Sequence, residues 1–505
     1  MRYVIGVDLG TSAVKCLLVS EGGEVVASAS RPFDSMRIRS GYSEQDPEQW
    51  VQETVHCLQA VMAAAGVEAS SVDGISFSGQ MHGLVLLDEQ QRLLRPAILW
   101  NDTRTSAECR EIEATVGWEH LLAIAKNPAL EGFTLPKLLW VRKHEPHLYD
   151  RAAVFLLPKD YVRFRLTGNI HAEFSDAAGT LLLDIPRREW SRELCDALAI
   201  DRGICPPLVE SHACVGTLLP SIAEATGLTP STPVFAGGAD NACGAIGASV
   251  LEEDRTLCSI GTSGVILSPD RRERDVTGKL HYFNHAVPGI DYAMGVTLAA
   301  GQSLSWLRKL IAPSQSYDSL LAPIDSISPG AGGLLFTPYL SGERTPHADA
   351  DIRGSFIGLD VSHSQAHMVR SVVEGITFSL CESLAILRAQ GKSVDRIVSI
   401  GGGAQSETWL QIQADIFNAE MVSLRHEEGP GMGAAMLAAV GAGWFDRLDE
   451  CAAVFVKWGR TFDPHPSRVE EYRQLFALYK EVYQQTESLS CRLKRFRDAE
   501  RIQSV

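Results

Sequence analysis

The tripeptide Gly-Thr-Ser stands at residues 10–12 and again at 261–263, about half a chain apart, each time between apolar runs. The first passage reads Tyr3-Val4-Ile5-Gly6-Val7-Asp8-Leu9-Gly10-Thr11-Ser12-Ala13-Val14-Lys15. The second reads Leu257-Cys258-Ser259-Ile260-Gly261-Thr262-Ser263-Gly264-Val265-Ile266. Both look like two short strands joined by a glycine–hydroxyl turn. A chain of two related halves, each offering a turn of free N–H and O–H groups, points to a phosphate held between two domains.

The length of 505 residues agrees, because it exceeds what a single core usually supports. Residues 3–7 and 16–19 are continuous apolar runs, as buried strands should be, and Glu21-Gly22-Gly23-Glu24 reads as a turn into a strand at 25–27. Asp46 as N-cap and Pro47 at the first position open a helix to residue 65, with Trp50, Val51, Thr54, Val55, Leu58, Val61 and Met62 at helical spacing. A short strand at 73–78 ends in Gly79-Gln80-Met81-His82-Gly83, and another follows at 84–87. This alternation is an α/β signature with mixed strand directions. A loop-rich stretch, 204–233, leads into Phe235-Ala236-Gly237-Gly238-Ala239-Asp240-Asn241 and a small-residue helix at 242–250. The domain boundary is therefore expected near Leu251, dividing the chain into 1–250 and 251–505. In the second part a strand at 394–403 runs into a triple glycine, 408–417 and 433–442 read as helices, and the tail beyond Glu470 as a charged amphipathic helix.

A net charge of −16 argues against nucleic-acid or anionic-membrane partners. It leaves anionic substrates open, because a divalent cation neutralises phosphate locally. No apolar run approaches the length needed to span a bilayer, and the first residues run straight into a strand without a signal pattern. The eleven cysteines are scattered singly, with no Cys-x-x-Cys, so a reduced cytoplasmic protein is expected rather than a disulfide framework or zinc site.

Asp8, at the end of a buried strand and before a glycine turn, can hold a hydrated Mg²⁺ against a phosphate whose oxygens meet the N–H and O–H groups of Gly10, Thr11 and Ser12. Capping of the hairpin is the plainer role for that carboxylate; the second Gly-Thr-Ser tilts the balance toward phosphate. A Gly-x-x-x-x-Gly-Lys-Ser/Thr loop is absent. The run Gly429-Pro430-Gly431-Met432-Gly433 contains a proline and lacks an acidic partner some twenty residues on, so close packing of a helix start suits it better than dinucleotide binding.

With these motifs in order along the whole chain, the sequence resembles the FGGY carbohydrate kinases. Asp8-Leu9-Gly10-Thr11 and Gly261-Thr262-Ser263-Gly264 match the family's two phosphate motifs. Longer matches lie at Gly132-Phe133-Thr134-Leu135-Pro136-Lys137-Leu138-Leu139-Trp140-Val141 and from Gly354-Ser355-Phe356-Ile357-Gly358-Leu359 to Val372-Val373-Glu374-Gly375. The resemblance implies two duplicated ribonuclease H-like domains of the actin/Hsp70/hexokinase-type ATPases, with an interdomain cleft. It implies ATP and Mg²⁺ as cofactors, Asp240 as general base and Asp8 on the metal through water.

Within the family, Ser78-Gly79-Gln80-Met81-His82-Gly83 and Trp100-Asn101-Asp102-Thr103-Arg104 are similar to segments of the xylulose kinases. The resemblance thus puts Gln80, Met81, His82, Trp100, Asp102, Asp240 and Asn241 on the sugar, with core packing an equal role for Trp100. It puts Gly10, Thr11, Ser12, Lys15, Gly261, Thr262, Ser263, Gly301, Ser305, Gly402, Gly403 and Ala404 on the nucleotide. Glu343 and Arg344, in a further matching loop from Pro338 to Pro346, are expected to form an ion pair shaping the cleft. The activity implied is phosphorylation of D-xylulose to D-xylulose 5-phosphate in xylose utilisation, with another pentulose or polyol such as ribulose as the near alternative. A non-catalytic sugar-responsive ATPase-fold protein is the remoter one. A homodimer is the family-typical assembly.

Overall fold

The computed structural model describes residues 1–34, 41–271 and 276–503. The first sheet contains β1 (Tyr3–Leu9), β2 (Ala13–Ser20), β3 (Val25–Pro32), β4 (Val72–Gly79), β5 (Cys214–Thr217), β6 (Pro233–Phe235) and β7 (Gly238–Ala239). The second contains β8 (Thr256–Ile260), β9 (Gly264–Asp270), β10 (His281–Asn284), β11 (Asp291–Thr297), β12 (Arg396–Gly401), β13 (Glu420–Leu424) and β14 (Trp458–Phe462). The helices that position the site are α1 (Pro47–Ala65), α2 (Thr134–His144), α3 (Pro158–Thr167), α4 (Asp240–Gly247), α5 (Gly301–Ile311), α6 (Gln365–Ala389), α7 (Pro430–Gly441) and α8 (Pro466–Gln503).

The two sheets share one wiring. β1 pairs antiparallel with β2, β2 antiparallel with β3, β1 parallel with β4 and β4 parallel with β6. The second sheet repeats this with β8, β9, β11, β12 and β13 in the corresponding places. Each sheet also carries an antiparallel outer strand, β5 on β6 and β14 on β13, and β10 is an addition beside β11. The repeated tripeptide is therefore the β1–β2 turn of one unit and the β8–β9 turn of its counterpart.

Strand β1 is apolar up to Asp8 because both its faces are covered. Ile5, Val7 and Leu9 belong to the core that holds Trp50, Leu58 and Val61 of α1, whereas Val4 joins Leu17, Val19 and the Ala435, Met436 and Ala439 of α7. The expected helix at 47–65 forms as Pro47–Ala65, with the Asp46 carboxylate accepting the Glu48 N–H at 3.0 Å. Helix α7 starts at Pro430, three residues before the expected position, because its glycines are contact points rather than a loop. A Cβ at Gly433 would lie 1.9 Å from the Cys243 carbonyl of α4, and one at Gly6 would lie 2.0 Å from the Gly431 carbonyl. A helix late in the chain is thereby seated on the first sheet.

Candidate active site

Both Gly-Thr-Ser turns are tight hairpins. Gly10 N–H donates to the Ala13 carbonyl at 3.0 Å and Gly261 N–H to the Ser263 carbonyl at 2.9 Å. Side chains lock the first turn: Gln45 Nε2 donates to the Thr11 carbonyl at 2.7 Å, and Trp100 Nε1 donates to Thr11 Oγ1 at 2.9 Å. The second is held by backbone alone, with Gly301 N–H on the Gly261 carbonyl at 2.9 Å and Gln302 N–H on the Thr262 carbonyl at 3.1 Å. A Cβ at Gly301 would lie 2.3 Å from that Gly261 oxygen, so no other residue fits there without displacing the turn.

Asp8 lies in register opposite Lys15 on one side and Ser78 on the other. Burial raises its pKa to about 6, against the pull of the Ser78 hydroxyl and the Lys15 charge. Asp240 follows β7 and opens α4; Ala239 occupies the N-cap, so Asp240 does not cap that helix. Burial first, and the Asp8 charge second, raise Asp240 to about 7. Its Oδ1 accepts the Asn241 N–H at 2.7 Å and Asn241 Nδ2 at 3.0 Å. Oδ2 has no hydrogen bond among the described residues and is left to take a proton. Two buried carboxylates, one of them raised by the charge of the other, suit a divalent cation and its phosphates. Among the described residues no group of three or more His, Cys, Asp and Glu side chains could hold a metal ion.

The segment after β4 turns sharply at His82, whose φ of 68° is left-handed. Burial lowers the imidazole pKa to about 3, so the ring is neutral. Its Nδ1 lies 2.6 Å from the Gly179 carbonyl and must carry the proton, which leaves Nε2 as an acceptor for a hydroxyl. The ring packs on Phe133 with centroids 4.7 Å apart. Asn241 Nδ2 contacts Met81 Sδ at 3.7 Å, tying this segment to Asp240. Gln80 is buried, and its Oε1 has no hydrogen-bond partner among the described residues. Asp102 has both oxygens occupied: Oδ2 by Ser43 N–H and Arg104, each at 2.6 Å, and Oδ1 by Arg104 Nε and N–H at 2.9 and 3.0 Å. Its partner in this structure is Arg104, itself layered against Tyr42 and Trp140.

On the second sheet a cavity of about 730 Å³, within the range of small-molecule sites, is lined by Gly261, Thr262, Gly301, Ser305, Gly402 and Gly403. Those are six of the expected nucleotide residues; Ser263 and Ala404 are not among its lining. A Cβ at Gly403 would lie 2.7 Å from the Ile260 side chain, so the glycine is required for β12 to turn over β8. Tyr317, Asp318 and Trp409 also line the cavity and carry no motif that marks them. Lys15, expected on the phosphate, bonds Glu428 at 2.6 Å.

Sequence reasoning missed the foundation of the sugar side. Lys159, Asp160, Arg163, Glu173 and Asp176 are fully buried together. Lys159 Nζ lies 2.8 Å from Asp160, 3.2 Å from Glu173 and 3.0 Å from Asp176, and Arg163 lies 2.9 Å from Asp160. Burial drives Asp176 well above the ordinary carboxylate range, against the pull of Lys159. The cluster reaches the Asp240 loop through Arg163 on the Ala236 carbonyl at 2.6 Å and through Glu173–Ser175, whose Oγ accepts the Ala239 N–H at 2.9 Å. The expected Glu343–Arg344 ion pair does not form. The Glu343 carboxylate turns inward to the N–H groups of Leu298 and Arg344 and to Ser379, which satisfy it at shorter range.

A duplicated sheet pair with a Gly-Thr-Ser turn in each half, two buried carboxylates in the first half and a cavity of small-molecule size in the second fits a two-domain phosphotransferase of the actin/hexokinase-type fold. Models of the FGGY family of carbohydrate kinases match residues 3–247 (N-terminal domain) and 256–442 (C-terminal domain). The chain belongs to the FGGY family of carbohydrate kinases. It is 57% identical over 498 residues to the xylulose kinase of Bacillus subtilis (strain 168), covering 98% of this chain and 100% of that protein. A ligand-bound xylulose kinase structure from Lactobacillus acidophilus superposes with a TM-score of 0.92 at 26% identity, covering 98% of this chain and 100% of that one. A Plasmodium falciparum glycerol kinase with ADP shares the fold, with a TM-score of 0.87 at 20% identity over 96% of this chain and 98% of the other.

Proposed function

We propose that the protein transfers the γ-phosphoryl group of ATP to the terminal hydroxyl of D-xylulose, giving D-xylulose 5-phosphate in cytoplasmic xylose utilisation. The relatives named xylulose kinase support the substrate. The observation that carries the chemistry is Asp240, raised to about 7 beside Asp8, with one oxygen bonded and the other open. A base near the working pH takes the proton of an attacking hydroxyl efficiently. Phosphoryl transfer otherwise asks mainly for positioning and charge neutralisation. Asn241 orients the base, and the neutral His82 accepts a hydrogen bond from another hydroxyl. The sugar lies along Gln80, Met81 and His82 on the first half; ATP takes the glycine-lined cavity of the second, the division falling near Leu251. Asp8 would hold a hydrated Mg²⁺, whose charge offsets that of the phosphates. Closure of the halves excludes water that would hydrolyse ATP.

ADP release with D-xylulose, L-ribulose and glycerol, measured side by side, is the test. D-Xylulose is expected to give the highest kcat/KM, and a higher value for either other acceptor would remove it as the substrate.

A further inference from the structure

Arg344 is a cation of the expected site that forms no ion pair among the described residues. Its backbone is firmly held: the Glu343 carboxylate accepts its N–H at 2.8 Å, and the next residue, Thr345, exchanges bonds with Val296 of β11 at 3.0 Å. Its guanidinium has no hydrogen bond or ion pair among the described residues; Glu343 and Glu131 act on it only from a distance. The half-buried side chain reaches out of the second half to the loop before α2, where a Cβ on Gly132 would lie 3.6 Å from one of its terminal nitrogens and 3.1 Å from the Trp100 carbonyl. Next to Gly132 is Phe133, the ring on which His82 packs. Its positive charge is felt at His82, Lys137 and His281, all of which it helps to hold below their ordinary pKa values.

These contacts order the site. Asn241, next to Asp240, meets Met81; Met81 precedes His82, His82 meets Phe133, and Arg344 lies against Gly132 beside Phe133, so that this run of contacts has Asp240 at one end and Arg344 at the other. Lys137 cannot take its place, because its ammonium is spent on the carbonyls of Glu131, Gly132 and Phe133.

The chemistry of the acceptor completes the argument and rests on the pentulose reading above. A 2-pentulose can close a five-membered ring only through its C5 hydroxyl. An enzyme that phosphorylates that hydroxyl must therefore bind the open chain, with a free ketone at C2. A ketone oxygen only accepts hydrogen bonds, and a guanidinium only donates them. We propose that Arg344 is a specificity residue of the sugar site, donating from the second half to the C2 ketone while Asp240 takes the proton at the other end of the chain. The contact would be made across the two halves, so recognition of the ketose and closure would be one event.

The test compares D-xylulose with D-arabitol and xylitol, which are its C2-reduced forms, in wild type, Arg344→Gln and Arg344→Lys. Arg344→Gln is expected to lose about 10- to 100-fold in kcat/KM on D-xylulose, as for a charged hydrogen bond. Losses on the two polyols should stay within about threefold, with KM for ATP unchanged, because the reduced carbon offers no acceptor-only oxygen. Arg344→Lys should fall between, keeping the charge without the fork. Equal losses on ketose and polyols, or a rise confined to KM for ATP, would make Arg344 a clamp between the halves and overturn the proposal. A wild type that ignores D-xylulose would instead overturn the pentulose reading on which it stands. Should the variants fail to fold, carbon-13 NMR of [2-¹³C]D-xylulose on wild type decides: a bound ketone resonance downfield of the free one is expected, and an unshifted one overturns the proposal.

Discussion

The two halves share a wiring and solve opposite problems. Beneath the sugar segment lie five fully buried ionisable side chains, from Lys159 to Asp176, and the groups above them are defined by protonation: Asp240 near 7, Asp8 near 6, His82 neutral. Around the nucleotide cavity the decisive positions are glycines, with Gly301 against the Gly261 carbonyl and Gly403 against Ile260. The difference follows from what is held. A sugar hydroxyl has to be aimed at a base, which takes side chains fixed by a charged framework; a phosphate has to reach backbone N–H groups, which takes the removal of side chains.

Replacing the base should break the first half most severely. Asp240→Asn is expected to lower kcat by about 10²–10⁴-fold while D-xylulose binding by calorimetry stays nearly intact; full activity would remove Asp240 as the base. The same variant sharpens the electrostatics. A carboxyl whose folded pKa is raised stabilises the fold below its unfolded pKa, and that stability is lost as pH rises through about 7. Asp240→Asn should accordingly melt about 1–3 °C above wild type at pH 8, with a smaller gain at pH 5 and none below about pH 4.

The framework is the next largest lever. Lys159→Met leaves Asp160 and Glu173 buried with one cation fewer, a loss of about 3–5 kcal/mol in urea unfolding. A cost no larger than that of an exposed pair would mean that the cluster does not organise the sugar half. Protonation comes after it: kcat/KM for the sugar should fall by up to about tenfold per pH unit as pH drops through about 7 and then about 6. A flat profile from pH 5.5 to 7.5 would contradict a raised base.

How much of this was legible in the sequence follows the same division. The strands carrying both turns announce themselves because burial on two faces leaves a continuous apolar run, and helix Pro47–Ala65 carries its own cap in Asp46. The glycine-lined residues were legible too, since a backbone that must come close leaves a glycine in the chain. The buried cluster was not: charged residues such as Lys159, Asp160 and Arg163 carry no local sign of burial, and nothing local says that Glu173 and Asp176 will meet Lys159. The same blindness explains Glu343 and Arg344, adjacent in sequence, of which the carboxylate turns inward to Leu298 and Ser379 instead of pairing with its neighbour, and Asp102, whose oxygens go to Arg104 and Ser43. Local patterns reveal which atoms must be absent better than which charges will be paired.

On the nucleotide side, Gly301→Ala should raise KM for ATP by about tenfold, since the added Cβ lies 2.3 Å from the Gly261 oxygen and the turn must move, while sugar affinity is unchanged. An effect on sugar binding of similar size would mean that the halves are not separable in this way.

The smallest expected effect tests the seam between them. Lys15 leaves the first phosphate turn and bonds Glu428, just ahead of the helix that lies on β1, while the neighbouring Glu427 accepts the Gly401 N–H at 2.7 Å beside the cavity. Lys15 and Glu428 are both partly exposed, so their bond contributes about 0–1 kcal/mol, and a phosphate of higher charge can compete for the lysine. If the phosphate takes it, Lys15→Gln should raise KM for ATP by about two- to fivefold, and Glu428→Gln, which frees the lysine in advance, should lower it. Both changes moving KM in the same direction would show that the pair only fastens α7 to the first sheet, and that the seam is structural rather than part of nucleotide binding.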